Sequence, residues 1–332
     1  MRKISIVMAI LLQVVMVSRL KAQIDPHFSQ YYAYPLWLNP ALTGVIDGDA
    51  RVNANYKNQW ATVNNAYQTA GVSFDFRPTD RVGVGFNVID QSAGDAGFNY
   101  FAAYGSFSYA ITLSGDGYQQ LRFGLQAGMI SRSFDVNKIQ LDDQYNPLTG
   151  YDPNLPGYEN FSTTGATVFD AGAGIYYADA DPSKQANLFG GFSVAHLTQP
   201  QDPFATEGIN SKLPMRFTIH GGLRIHASDD IDITPHLIYI RQDQNQEKDI
   251  GVYSEFKADN YNGFIMGVMY RFNDAAIADA GYHFNNMIIG LSYDFNTSAL
   301  NAATNSQGGV ELSLSYVFDS HSQNRDVVCP SF

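Results

Sequence analysis

The sequence predicts an all-β protein, a transmembrane antiparallel up-and-down β-barrel of about 14 strands with a plug segment before it. Three observations predict this. From residue 51 onward apolar and polar residues alternate with a period of two, and no comparable stretch repeats at 3.6. The long connections between alternating segments all fall at one parity. Of the 332 residues only 16% are charged, while 14% are aromatic and 29 are glycine, a balance common in exported β-proteins. A helical membrane bundle is excluded, because each span needs ~20 apolar residues and only one stretch, near the N-terminus, is strongly apolar. Disorder is excluded by a hydrophobic content of 45%.

The first element is an address. Arg2 and Lys3 precede a mostly apolar run, Ile4 to Val17, and Ser18-Arg19-Leu20-Lys21-Ala22 follows it. The run is too short to span and is flanked by basic residues, so residues 1–22 read as a secretory signal peptide cleaved after Ala22. These residues carry four basic and no acidic side chains, so cleavage moves the net charge from −12 to −16. An acidic exported chain is a poor partner for nucleic acid. A single cysteine, Cys329, makes no internal disulfide, so stability must come from packing and strand pairing.

Residues 23–46 form the second element. They do not alternate, are rich in aromatics and hold Pro26, Pro35 and Pro40. Proline at this density excludes a central strand, and an exposed segment this apolar would be a liability. The expected resting place is the barrel lumen, as an N-terminal plug; the alternative is a flexible periplasmic leader.

The barrel itself is expected over 47–318. Fourteen strands read at about 49–60, 66–77, 81–91, 99–113, 118–135, 167–178, 186–198, 215–228, 231–244, 247–257, 261–273, 277–285, 287–297 and 308–318. Val72, Phe74 and Phe76 oppose Gly71, Ser73 and Asp75; Leu121, Phe123, Leu125 and Met129 oppose Arg122, Gly124, Gln126 and Gly128. The last strand sets Val310, Leu312, Leu314, Tyr316 and Phe318 against Glu311, Ser313 and Ser315, a final amphipathic strand of the kind read by barrel-assembly machinery. After even-numbered strands the connections are short; the long ones, roughly 136–166, 199–214 and 298–307, follow strands 5, 7 and 13. That parity fits an outer-membrane barrel with tight periplasmic turns and longer external loops. In hydrocarbon every backbone group must be paired, so the spanning strands must close. An even strand count puts both termini, including the polar tail 319–332, in the periplasm. Tyr56 with Trp60, Tyr176 with Tyr177, and Tyr270 fit interfacial aromatic girdles, or simple strand propensity.

Two segments carry a resemblance. Phe28-Ser29-Gln30-Tyr31-Tyr32, followed by Pro35-Leu36-Trp37-Leu38-Asn39-Pro40-Ala41-Leu42-Thr43-Gly44, resembles the opening signature of the PorP/SprF family. Arg51-Val52-Asn53 with Tyr56-Lys57-Asn58-Gln59-Trp60 resembles that family's first-strand motif, where Arg is commoner at the position of Lys57. Ser193-Val194-Ala195-His196-Leu197 with Pro200, and the Cys329-Pro330-Ser331-Phe332 end, also fit. The resemblance implies a non-enzymatic outer-membrane component of the type IX secretion system of a diderm bacterium, a machinery of export and gliding. Implied partners are other type IX components in the outer membrane and periplasm, a large secreted adhesin in one branch of the family, and membrane lipid. It further implies a barrel related to the FadL type, whose hatch and Asn-Pro-Ala element are matched by Asn39-Pro40-Ala41. The signature residues Phe28, Ser29, Gln30, Tyr31, Tyr32, Leu38, Asn39, Pro40, Ala41, Asn58, Gln59 and Trp60 are the candidates for partner contact or for seating the plug.

No catalytic, cofactor or metal signature stands beside these. There is no His-Glu-x-x-His, no cysteine pair and no Gly-x-Ser-x-Gly elbow. His27, His196, His220, His226, His236, His283 and His321 are scattered, and His220 with His236 would face the lumen on neighbouring strands without a third metal ligand. Asp142, Asp143 and Asp152 in the longest external loop match no calcium-loop spacing. Gly83/Gly85 and Gly172/Gly174 sit inside alternating strands and leave space in the lumen or relieve curvature. Arg122, Arg216, Arg224, Asp170, Asp232 and Asp294 would set ion selectivity in an open pore, or pair with one another in a plugged one. Three functional readings follow: an assembly and export component, a FadL-like or porin-like solute transporter, and an outer-membrane enzyme. The last lacks any nucleophile–base grouping.

Overall fold

The computed structural model describes residues 25–319 except 61–66, 95–96, 136–137, 140–143, 147, 149, 153–154, 156–163, 202–211, 260–261, 299–303 and 305. Residues 1–22, expected to be a signal peptide, the tail beyond 319 with Cys329, and Asp142 and Asp143 therefore lie outside the described residues.

The alternating segments are strands, within a few residues of where the period-two pattern places them. The first five are β1 (Ala50–Gln59), β2 (Tyr67–Thr79), β3 (Val82–Ala93), β4 (Phe98–Thr112) and β5 (Gln119–Ser133). The connection after β5 contains a small separate hairpin, β6 (Tyr145–Asn146) with β7 (Gly150–Tyr151), which periodicity did not reveal. Then come β8 (Gly165–Asp179), β9 (Ala186–Ala195), β10 (Arg216–Ser228), β11 (Ile231–Gln242) and β12 (Asn245–Lys257). The last four are β13 (Asn262–Arg271), β14 (Ala275–Phe284), β15 (Met287–Asn296) and β16 (Gln307–Phe318).

Fourteen of these strands form one closed antiparallel sheet, each beside its sequence neighbour. The cylinder is sealed by β1 against β16, in register from Ala50 opposite Phe318 to Gln59 opposite Gly309. No sheet edge is left, as a strand in hydrocarbon requires. Counting only barrel strands, the connections 134–164, 196–215 and 297–306 leave one end, while the short turns 80–81, 229–230 and 285–286 leave the other.

The two faces of the wall differ as the alternation demands. Val72, Phe74, Phe86, Phe107, Leu125 and Leu312 point outward and are 42–62% exposed. Ser73, Asp75, Asn87, Ser108 and Arg122 point inward and are buried. An apolar face of this extent is untenable in water and natural against lipid tails. Exposed rings gather near both ends of the wall, with Phe76, Tyr109, Phe284 and Phe318 by the short turns and Tyr56, Tyr67, Tyr270 and Phe295 by the long loops. Tyr176 departs from the girdle expectation. It is buried in the lumen, stacked on His220 at 5.9 Å and 10°. Adjacent strand residues face opposite ways, so Tyr176 and Tyr177 could not both face lipid.

Candidate functional site

The lumen is filled by residues 25–46 of the chain itself. The segment is irregular because its prolines forbid a ladder. Pro35 and Pro40 instead open short helical turns, Pro35–Leu38 and the 3-10 turn Pro40–Leu42, where a missing N–H is harmless. Asn39 caps the second turn by accepting from Ala41 N at 2.9 Å. From Asp25 to Gly44 the segment descends from the long-loop end, beside the end of β9 and the start of β10, to the short-turn end, where Gly44 N donates to Asp75 Oδ2 at 2.8 Å.

At the upper end Asp25 is held by two cations. Its Oδ2 lies 2.7 Å from His196 Nε2 and accepts from Arg216 NH1 at 3.1 Å. The other ring nitrogen of His196, Nδ1, is 2.8 Å from Asp170 Oδ2. Arg216 also donates to Trp37 O at 3.1 Å and stacks 4.8 Å over the Trp37 ring. Burial alone would lower the pKa of His196, but the two carboxylates outweigh it and hold the pKa up at about 9. Burial opposes ionisation of Asp25 as well, and the His196 and Arg216 charges overcome it, leaving its pKa well below the usual carboxylate range.

One turn on, Ser29 and Gln30 meet the closure seam. Ser29 N and Gln30 N donate to Glu311 at 2.6 and 3.1 Å. Ser29 Oγ donates to Asp294 Oδ2 at 2.7 Å and accepts from Lys57 Nζ at 2.8 Å. Lys57 is 1% exposed, lies opposite Glu311 in the β1–β16 register and pairs with Asp294 at 3.4 Å. The segment is thus bound to the seam that closes the barrel.

Further down, Tyr31 OH is 2.5 Å from His236 Nδ1, and Tyr34 OH donates to Val72 O and Val88 O at 2.9 and 2.6 Å. Asn39 Nδ2 donates to Ile175 O at 3.0 Å and to His220 Nε2 at 3.1 Å. His236 and His220 are therefore engaged by two different residues of the segment, Tyr31 and Asn39. Inward glycines make the seat. A β-carbon at Gly124 would overlap Pro40 and Ala41 backbone, one at Gly83 would overlap Thr43 O, and one at Gly174 would overlap the Asn39 amide. Asn39→Ala removes three hydrogen bonds, two of them fully buried, and strands His220. The expected cost is about 3 kcal/mol, read as an earlier loss of the fast-migrating unboiled band on heating, with Gly105→Ala on the outer face of β4 as the neutral comparison.

The predicted candidates sort as follows. Phe28, Ser29, Gln30, Tyr31, Tyr32, Leu38, Asn39, Pro40 and Ala41 are brought together inside the barrel: Phe28 packs edge-on to Tyr34 at 5.2 Å, Tyr32 lies 5.5 Å from the Tyr253 ring, and Leu38 O accepts from Ser193 Oγ at 2.8 Å. Gln59 and Trp60 line a cavity beside them. Asn58 is not among them, because it falls on the outward parity of β1. Sequence reasoning missed Asp25, Tyr34, Lys57, His196, Arg271 and Glu311 as anchoring groups. For Lys57, Arg271 and Glu311 the available signal was charge on the inward parity of strands, which only the closed register converts into pairs; Asp25, Tyr34 and His196 lie outside the strands and carried no such signal. Of the six lumenal charges named in advance, Arg224 and Asp232 pair with each other at 2.7 Å. Arg216 and Asp170 instead serve the Asp25 site.

No curated protein matches this sequence. A family model described as type IX secretion system membrane protein PorP/SprF matches residues 20–316. Among solved structures, the toluene transporter TbuX of Ralstonia pickettii is 13% identical at a TM-score of 0.53, covering 85% of this chain and 93% of its own. The CymD monoaromatic hydrocarbon channel is 12% identical at 0.51, covering 87% and 94%. A FadL homologue of Pseudomonas aeruginosa is 13% identical at 0.47, covering 85% and 93%. At such identities the likeness is one of fold.

Proposed function

Because this chain belongs to the PorP/SprF family of type IX secretion system membrane proteins, an outer-membrane location follows, and we propose that it is a non-enzymatic component supporting export or surface attachment of secreted adhesin-like proteins, or anchoring the periplasmic part of the machinery. The observation that carries this reading is the filled lumen. Residues 25–46 are tied to β2 and β8 by partly buried hydrogen bonds and to β9, β10, β15 and β16 by buried hydrogen bonds and ion pairs. A barrel so occupied is built to present surfaces more than to pass solute. On this reading the short turns face the periplasm, residues 1–22 are removed on export, the tail beyond 319 lies in the periplasm and the outer wall meets lipid. The long loops, with the upper rim around Trp60, face the secreted partner.

A second reading, transport of small solutes, is favoured by one feature. An apolar recess of about 1110 Å³ lies in the wall, lined by Leu188, Leu223, Leu237, Ile250, Val268 and Phe295 among others. One paired experiment separates the readings. Deletion of the gene should remove type IX cargo from the cell surface, and the purified protein should give no steady conductance in planar bilayers. Intact cargo display together with a steady open channel would reverse the assignment in favour of transport.

A further inference from the structure

Above the N-terminal segment the lumen holds a cavity of about 540 Å³ at the long-loop end. Phe28, Tyr31, Trp37, Trp60 and Phe272 give it aromatic walls, and Glu247, Asp274 and Arg271 also line it. The charges around Arg271 do not balance. Its guanidinium faces Glu247 at 3.7 Å, Asp249 at 3.4 Å, Asp274 at 3.2 Å and Asp294 at 3.3 Å. Lys57, 3.4 Å from Asp294, is the second cation of the group. Two cations thus meet four carboxyl groups, of which Glu247 and Asp274 line the cavity while Asp249 and Asp294, each with a buried Oδ1 that has no hydrogen-bond partner, lie behind the lining. Glu247 reaches Arg271 and His27 only at 3.7 and 3.8 Å, beyond hydrogen-bond distance. A buried carboxyl group either takes up a proton or calls for a counter-charge, and Glu247, at the cavity wall, is placed to receive one; aromatic faces attract cations, more strongly once water is excluded.

We propose that this cavity binds a primary ammonium or guanidinium group carried on an apolar stem, with Glu247 as its ion-pair partner and the aromatic walls covering the stem. The site does not depend on the secretion reading; a basic side chain of a polypeptide and a free amine share this chemistry. The chain's two tryptophans, Trp37 and Trp60, both line the cavity, so tryptophan fluorescence of the purified protein in detergent, excited beyond the absorption of its 21 tyrosines, reports on it. The probes are N-acetyl-Phe-Lys amide, the same peptide acetylated on lysine, and spermidine. The expected result is a saturable change with a cationic probe, weakened about tenfold or more by lysine acetylation and by Glu247→Gln. Tighter binding of the lysine peptide assigns the site to a polypeptide, and tighter binding of spermidine assigns it to a free amine; both support the proposal. Asp274→Asn serves as a second variant should Glu247→Gln lose its unboiled gel mobility. Absence of saturation with both cations, equal titration by the acetylated peptide, or wild-type affinity in folded variants overturns it.

Discussion

Gly124→Val is expected to drive the N-terminal segment from its seat while leaving the barrel closed. A β-carbon at this position lands on the backbone of Pro40 and Ala41, and no flexible side chain is there to yield. Something larger must move. The strand itself is the stiffer of the two parties: β5 is paired along its length with β4 on one side and β8 on the other. The segment is held by side-chain bonds and has no ladder, so it gives way first. Overpacking usually costs about 1–3 kcal/mol; here the loss of the Asn39 and Ser193 contacts is added. The variant should keep its heat-modifiable gel mobility, become cleavable by chymotrypsin within residues 28–37, and conduct ions in planar bilayers. Gly105→Val on neighbouring β4 is the control, because an added β-carbon there meets nothing nearer than 4.0 Å. Protection of the segment equal to wild type in Gly124→Val would show that the glycine seat does not hold it.

That seat explains what could and could not be read in advance. The strands were legible because each one alternates by itself: Leu121 to Met129 displays its two faces without reference to any other strand. The closed sheet then follows from the physics of hydrocarbon. For the segment the sequence offered two places, the lumen and the periplasm; an aromatic, proline-rich stretch favours the dry one, and inward glycines such as Gly83 and Gly174 leave room for it. The anchoring pairs were not legible. Asp25 lies 171 residues from His196 and 191 from Arg216 in sequence. Lys57 meets Glu311 only because the first and last strands close in one register, and a slip of one residue would turn every side chain to the other face. The same dependence on parity placed Tyr176 inside and Asn58 outside. Charges on the inward parity, which suggest a pore when taken singly, become anchors once the segment supplies Asp25, Ser29 and Gln30 as partners.

The Asp25 site makes the upper anchor dependent on pH, with a defined sign. His196 is held at about 9 against its ordinary 6.5, so its pairing contributes fully below about 6.5 and is lost as pH rises through 9. Asp25 is held low, so its contribution is present above the ordinary carboxylate range and is lost only as pH falls through its depressed value. Between these limits the carboxylate of Asp25 bridges two cations in a buried site. Raising pH from 7 to 10 should therefore cost about 2–3 kcal/mol from His196. This is measurable as a lower temperature for loss of the unboiled band and as faster chymotrypsin cleavage near Phe28. Asp25→Asn leaves Arg216 as an uncompensated buried charge and His196 with Asp170 as its one remaining carboxylate, which costs about 3–5 kcal/mol at pH 7. It should also flatten the pH profile, because the imidazole in that variant is relieved of its proton at lower pH. His196→Gln should flatten the profile with a smaller penalty at pH 7, since Asp25 then keeps its bond to Arg216. A wild-type protein whose thermal stability and segment protection are unchanged between pH 7 and 10 would mean that His196 is neutral in the fold, and that Asp25 is held by Arg216 alone.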